Sequence, residues 1–195
     1  MKKIILLIIL GAMCVTSSAY AGKEVNLKPK TPEEWRDYLY FRRDEVFQEL
    51  FKLRPEARQV IEGAQGYAVF VNFSLKIFFV GGGNGRGFVH DNKAKKDTFM
   101  RMVQAGVGLG LGGKDFRAVF VFDDRVAMES FINSGWSFGG EADAAAKGND
   151  AGAATSGAIR VAPGIRVYQL TENGLALNAT VTGTKYWKDQ HVNQQ

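Results

Sequence analysis

Hydrophobic periodicity changes after Gly66 in this chain, and that change limits the fold more than any other feature. Before it, Trp35, Leu39, Val46, Leu50 and Leu53 recur at near-helical spacing, interrupted by Arg42-Arg43. Thr31-Pro32-Glu33-Glu34 supplies the start: Thr31 can accept from the backbone at Glu34, Glu34 can reach back, and Pro32 suits the first helical position. Arg54-Pro55 ends this helix, and Pro55 opens a second, short one through Ile61, closed by Gly63 and Gly66. After Gly66, residues 67–73 and 75–80 are continuous apolar runs rich in Val and Phe, which read as well-covered strands.

Further strand candidates follow at 88–90, 98–103, 104–113 and 116–122, with a polar, lysine-rich turn at 91–97. Asp123-Asp124 can cap a helix reaching Ser134, with Gly135 as its stop. Residues 140–164 are Gly/Ala-rich and read as a loop plus one weak strand, and 165–170 with 175–184 resemble a terminal hairpin. The expected class is α+β: N-terminal helices, then a mostly antiparallel, strongly curved sheet or small barrel, with one further helix. Glycines inside strands suit curvature or the close approach of another backbone.

The N-terminus is read apart from the fold. Lys2 and Lys3, a short apolar run from Ile4 and the A-x-A site Ala19-Tyr20-Ala21 describe a secretory signal peptide cut after Ala21. The run through Val15 covers about half to two-thirds of the ~20 residues of a membrane helix. Residues 22–30 form a flexible lead and 31–195 a single domain, with two helices in 31–63 and a sheet core in 66–187. An exported, periplasmic protein follows as an expectation. The one Cys, Cys14, falls inside the signal, where bulky Met13 argues against lipidation. The cleaved chain has no thiol, so disulfides and thiolate chemistry are excluded. Loss of two lysines lowers the net charge of +5, and so mild an excess does not call for nucleic acid.

Two formal motifs lack their context. Gly108-Leu109-Gly110-Leu111-Gly112-Gly113 satisfies G-x-G-x-x-G, but a strand candidate follows where a dinucleotide site needs a helix. Gly106, Gly108, Gly110 and Gly112 alternate and line one face of a strand. Gly135-Trp136-Ser137-Phe138-Gly139 matches the nucleophile elbow, with Asp143, Asp150 and His191 in triad order, but a helix precedes it where a strand should. His191 also lies in a polar tail. A serine hydrolase using Ser137 remains the alternative from another class. His90 and His191 are too few for a zinc site, and residues 143–154 lack calcium ligands, so no metal or cofactor is expected. A small outer-membrane barrel conflicts with the helical opening, while a scaffold without ligand stays open.

The basic residues carry more. Arg86, His90, Lys93, Lys95, Lys96 and Arg101 would gather at one hairpin end if 84–90 pairs with 97–103, a cluster able to attract anionic headgroups. The first helix adds Arg36, Arg42, Arg43 and Lys52 beside Trp35, Tyr38, Tyr40 and Phe41, a mix suited to a membrane interface.

From Ala64 to Gly148 the chain resembles the SYLF domain family. The matching residues are Gly66-Tyr67-Ala68-Val69-Phe70, then Gly82, Gly85 and Gly87 around Arg86. They continue with the ladder at 106–113, Val119-Phe120-Val121-Phe122, Phe131 and Ser137-Phe138-Gly139. Val71 and Gly110 depart from the Pro and Gln common there. The resemblance implies a non-enzymatic, lipid-binding protein, and in exported bacterial relatives an envelope protein. Some eukaryotic members bind actin, which an exported chain would not meet. The expected ligand is an anionic phospholipid or membrane surface. Its contacts are Arg42, Arg43, Arg86, Lys93, Lys95, Lys96 and Arg101, with Gly82, Gly85, Gly87, Gly106, Gly108, Gly110 and Gly112 as structural glycines.

Overall fold

The Thr31 capping box forms as the residues require. Thr31 Oγ1 accepts from the Glu34 amide at 3.2 Å, and the Glu34 carboxylate accepts from the amides of Lys30 and Thr31 at 2.7 and 3.1 Å. Those backbone donors hold the Glu34 carboxyl below its ordinary value. The helix they start, α1 (Pro32–Leu53), buries Tyr38, Leu39, Val46 and Leu50. Leu53, counted with the apolar stripe, is 43% exposed because the chain leaves the helix there. A second helix, α2 (Ala57–Gly63), starts two residues after Pro55 and buries Ala57 and Ile61.

This computed structural model describes residues 25–73, 82–105, 117–137, 157–171, 174–176 and 184–194. The signal peptide, the strand expected at 75–80, the glycine ladder at 106–113 and most of the 140–164 loop lie outside them.

The strands are β1 (Gly66–Phe73), β2 (Gly82–Asp91), β3 (Lys96–Ala105), β4 (Arg117–Phe122), β5 (Trp136–Ser137), β6 (Ile159–Ala162), β7 (Ile165–Thr171), β8 (Gly174–Ala176) and β9 (Thr184–Lys188). They form one antiparallel, strongly curved sheet in the order β5-β9-β3-β2-β1-β4-β7-β6, with β8 also on β7. The helix α3 (Arg125–Ser134) is capped by Asp124, which accepts from the Ala127 amide at 2.9 Å, and stops at Gly135 with φ +69°. The class is α+β, as the change of period indicates.

Strand alternation divides the core in two. Tyr67, Val69 and Val71 of β1 join Phe88, Phe99, Val119, Val121 and Tyr168 under α1 and α2. Ala68 and Phe70 join Met100, Phe120, Phe122, Phe131 and Tyr186 on the α3 side. Both faces of the central strands are therefore covered, and all six residues of β4 are buried. Arg117, at the start of β4, pairs with Glu49 and donates to the Thr171 carbonyl at 3.2 Å, tying α1 to the sheet.

The register of β2 with β3 pairs Asn84 with Val103 and His90 with Asp97, the pairing expected of 84–90 and 97–103. The last third differs from expectation. β7 and β8 do pair as the expected hairpin, Leu170 opposite Leu175, but Thr184, assigned to the same strand as Leu175, lies in β9, which pairs with β3 far across the sheet. The tail read as merely polar forms α4 (Gln190–Asn193). Asp189 caps it by accepting from His191 and Val192, and Val192 is fully buried in the core under α1.

Candidate functional site

The β2–β3 turn is built on Asp91. Its carboxylate accepts from the amides of Lys93 and Ala94, each at 2.9 Å, and its carbonyl accepts from the Lys95 amide at 2.9 Å. Arg125 of α3 grips the same carboxylate at 2.9 and 3.3 Å. Burial raises the Asp91 pKa, but Arg125 and the turn amides outweigh it and hold the carboxyl below its ordinary value. Lys95 adopts φ +52°, the left-handed region. Lys93, Lys95 and Lys96 all project exposed from this turn.

Arg86 and Arg101 face one another across β2 and β3. They stand five residues up the ladder from Asp91 and Lys96, about 16 Å at strand rise. The basic residues therefore do not gather at one hairpin end. Arg86 is spent inside the fold. Its guanidinium lies 3.8 Å from the Trp35 ring centroid, and its Nε is 3.2 Å from the Asp189 carboxylate. Burial lowers the Arg86 pKa, with Asp189 opposing. Arg43 pairs with Asp44 at 2.8 Å and lies over the Tyr40 ring, and Arg42 pairs with Glu45 at 3.2 Å. Arg101 stays exposed, 5.8 Å from the Trp187 ring centroid.

A cleft of about 790 Å³ opens beside the turn, between α1, the start of β3 and α4. Lys95 and Lys96 line it with Arg36 and Lys188, two cations outside the set expected to bind lipid. Arg36 donates to the carbonyls of Val192 and Gln194 at 3.0 and 2.5 Å, so it also secures the tail. Lys188 reaches Asn133 at 2.8 Å. Arg36 is legible in the sequence as a cation of the first helix. Lys188 carried no signal, because nothing in the sequence sets β9 beside β3. Asp97 is the carboxylate in the lining. It accepts from Tyr40 Oη at 2.8 Å and meets His90 Nδ1 at 2.7 Å. The cleft thus carries a net positive field, focused by its walls.

Of the structural glycines, Gly82 opens β2 opposite Ala105, and Gly85 and Gly87 lie within that strand. Gly106, Gly108, Gly110 and Gly112 lie outside the described residues. Ser137 sits exposed in β5 opposite Lys185, while Asp143 and Asp150 lie outside the described residues. Among the described residues there is no group of three or more His, Cys, Asp or Glu able to hold a metal, and no helix long and apolar enough to cross a membrane.

No family model matches the chain. A curated relative is Beta cell expansion factor A of Aeromonas veronii, 34% identical over 178 residues, covering 89% of this chain and 66% of that protein. The two are homologous. This chain spans just under two thirds of that relative's length.

Proposed function

We propose that this is an exported, non-enzymatic protein of the SYLF type that binds anionic phospholipid at the cell envelope through the basic end of the sheet. The observation that carries this reading is the charge balance there. Lys93, Lys95 and Lys96 project from one turn, and Arg36 and Lys188 line the adjoining cleft, against an Asp97 carboxylate already bonded to Tyr40 and His90. Lysines near an anionic surface contribute about 1 kcal/mol each, so three acting together favour such a membrane by roughly two orders of magnitude. The SYLF resemblance supports the same ligand class. Arg86 serves this function by joining the tail to the sheet through Asp189, while the charges of Arg42 and Arg43 are matched within α1 by Glu45 and Asp44.

Co-sedimentation with phosphatidylglycerol and phosphatidylcholine vesicles tests it. The protein should bind the first and not the second, and the affinity should fall as salt rises. The triple variant Lys93→Glu, Lys95→Glu, Lys96→Glu should bind at least tenfold more weakly. Equal binding to both vesicles, or an unaffected triple variant, would sink the reading.

A further inference from the structure

The cleft has a feature that a basic surface patch lacks. Its floor includes an unfinished strand edge. β9 pairs β3 only from Met100 onward. One step earlier, the Asp189 amide still donates to the Phe99 carbonyl at 2.9 Å, and the Asn193 side chain completes the edge: its Oδ1 accepts from the Phe99 amide at 2.9 Å, and its Nδ2 donates to the same carbonyl at 2.7 Å. The pairing stops there. Main-chain groups alternate along a strand, so the N–H and C=O of Asp97, two residues before Phe99, point to the same edge and meet no strand among the described residues. The Asp97 carboxylate is occupied by Tyr40 and His90, which leaves a backbone donor among cations.

The backbone of Lys95 is the second observation. Among the described residues it is the one non-glycine residue with positive φ. A side chain in that region costs about 1–2 kcal/mol, which glycine would not incur. At this position the chain carries a lysine that lines the cleft. Strain of this kind, held by the Asp91 turn, points to a function for the side chain.

We propose that this cleft is a socket for a single phosphate group, held by Lys95, Lys96 and Lys188 and by the main-chain N–H of Asp97. The inference deepens the anionic-lipid reading and rests on it for the source of the phosphate. Several compact ammonium groups and an amide donor match tetrahedral phosphate oxygens, each bond being charge-assisted. The volume of about 790 Å³ exceeds what one phosphate fills, and the half-buried Tyr40 ring adds an apolar patch to the lining. A phosphoglycerol headgroup fits both properties, with its phosphate on the lysines and its glycerol carbons along the Tyr40 ring.

The test uses the full chain as exported, with inorganic phosphate and glycerophosphoglycerol as soluble probes and phosphatidylglycerol vesicles in parallel. Backbone amide resonances of Asp97, Thr98 and Phe99 should shift saturably. Lys95→Gly should keep or raise the melting temperature while weakening probe binding at least tenfold, which separates the charge from the fold. Lys188→Gln should weaken it similarly without altering the turn. Tighter binding of glycerophosphoglycerol assigns the site to a lipid headgroup, and equal binding of inorganic phosphate assigns it to free phosphate; both support the socket. Absent shifts at Asp97–Phe99, or unchanged binding in both variants, would overturn it. If vesicles still bind in that case, the surface reading survives alone. If wild-type protein ignores the vesicles but takes up inorganic phosphate, the lipid reading fails and the socket stands.

Discussion

Gly87 shows how little freedom a single position has in this sheet. A Cβ built there would collide with the Val69 carbonyl oxygen and lie 2.6 Å from Cδ1 of Phe70. Neither can retreat, since Val69 is in the central strand β1 and Phe70 is fully buried against Phe120 and Tyr186. Gly87→Ala should therefore destabilise by about 3 kcal/mol or more, at the upper end of overpacking costs. Urea unfolding would read this as a lower midpoint with an unchanged slope; a loss below 1 kcal/mol would mean the strands can separate. Arg86, its neighbour, marks the limit of reading single residues. Its charge is plain in the sequence, but the Trp35 ring and the Asp189 carboxylate that absorb it come from opposite ends of the chain. No local pattern pairs residues so far apart, so the sequence alone groups Arg86 with the solvent-facing lysines.

At the scale of elements, the capping signals were legible because their physics is local. Thr31 with Glu34, and Asp124 with Gly135, mark the ends of α1 and α3. The tail was not legible, because a four-residue helix with one apolar side chain has no periodicity to detect. Yet α4 holds several parts together: Val192 enters the core under α1, Asn193 covers the β3 edge at Phe99, and Arg36 clasps two of its carbonyls. Deleting residues 189–195 would uncover that edge, leave Arg86 without its carboxylate and open the core at Val192. The expected result is a melting temperature lower by several degrees, together with concentration-dependent self-association through the bared strand. Calorimetry and sedimentation velocity would measure the two effects. A truncated chain that melts like the intact one and stays monomeric would show the tail to be dispensable.

Across the whole molecule, the continuous apolar runs of β1 and β4 reflect a sheet covered on both sides, by α1 and α2 on one face and α3 on the other. That pattern made the α+β class readable. Strand order was not, because the return of β9 to β3 depends on contacts between distant segments. Asp91 is where these layers meet: it shapes the β2–β3 turn and anchors α3 through Arg125. Its carboxyl is held below its ordinary value, so the folded state binds that proton more weakly than the unfolded chain. Its contribution to stability is then complete above the unfolded carboxylate value of about 4 and is lost as pH falls through the lowered folded value. Stability should thus decline as the medium is acidified below about pH 4. Asp91→Asn should be less stable at pH 7 and show a shallower decline, because the group that titrates is gone. Urea midpoints between pH 2.5 and 7 give both curves. Parallel curves for the two proteins would mean that other carboxylates govern acid unfolding, and that the Asp91–Arg125 pair contributes nothing that depends on its charge.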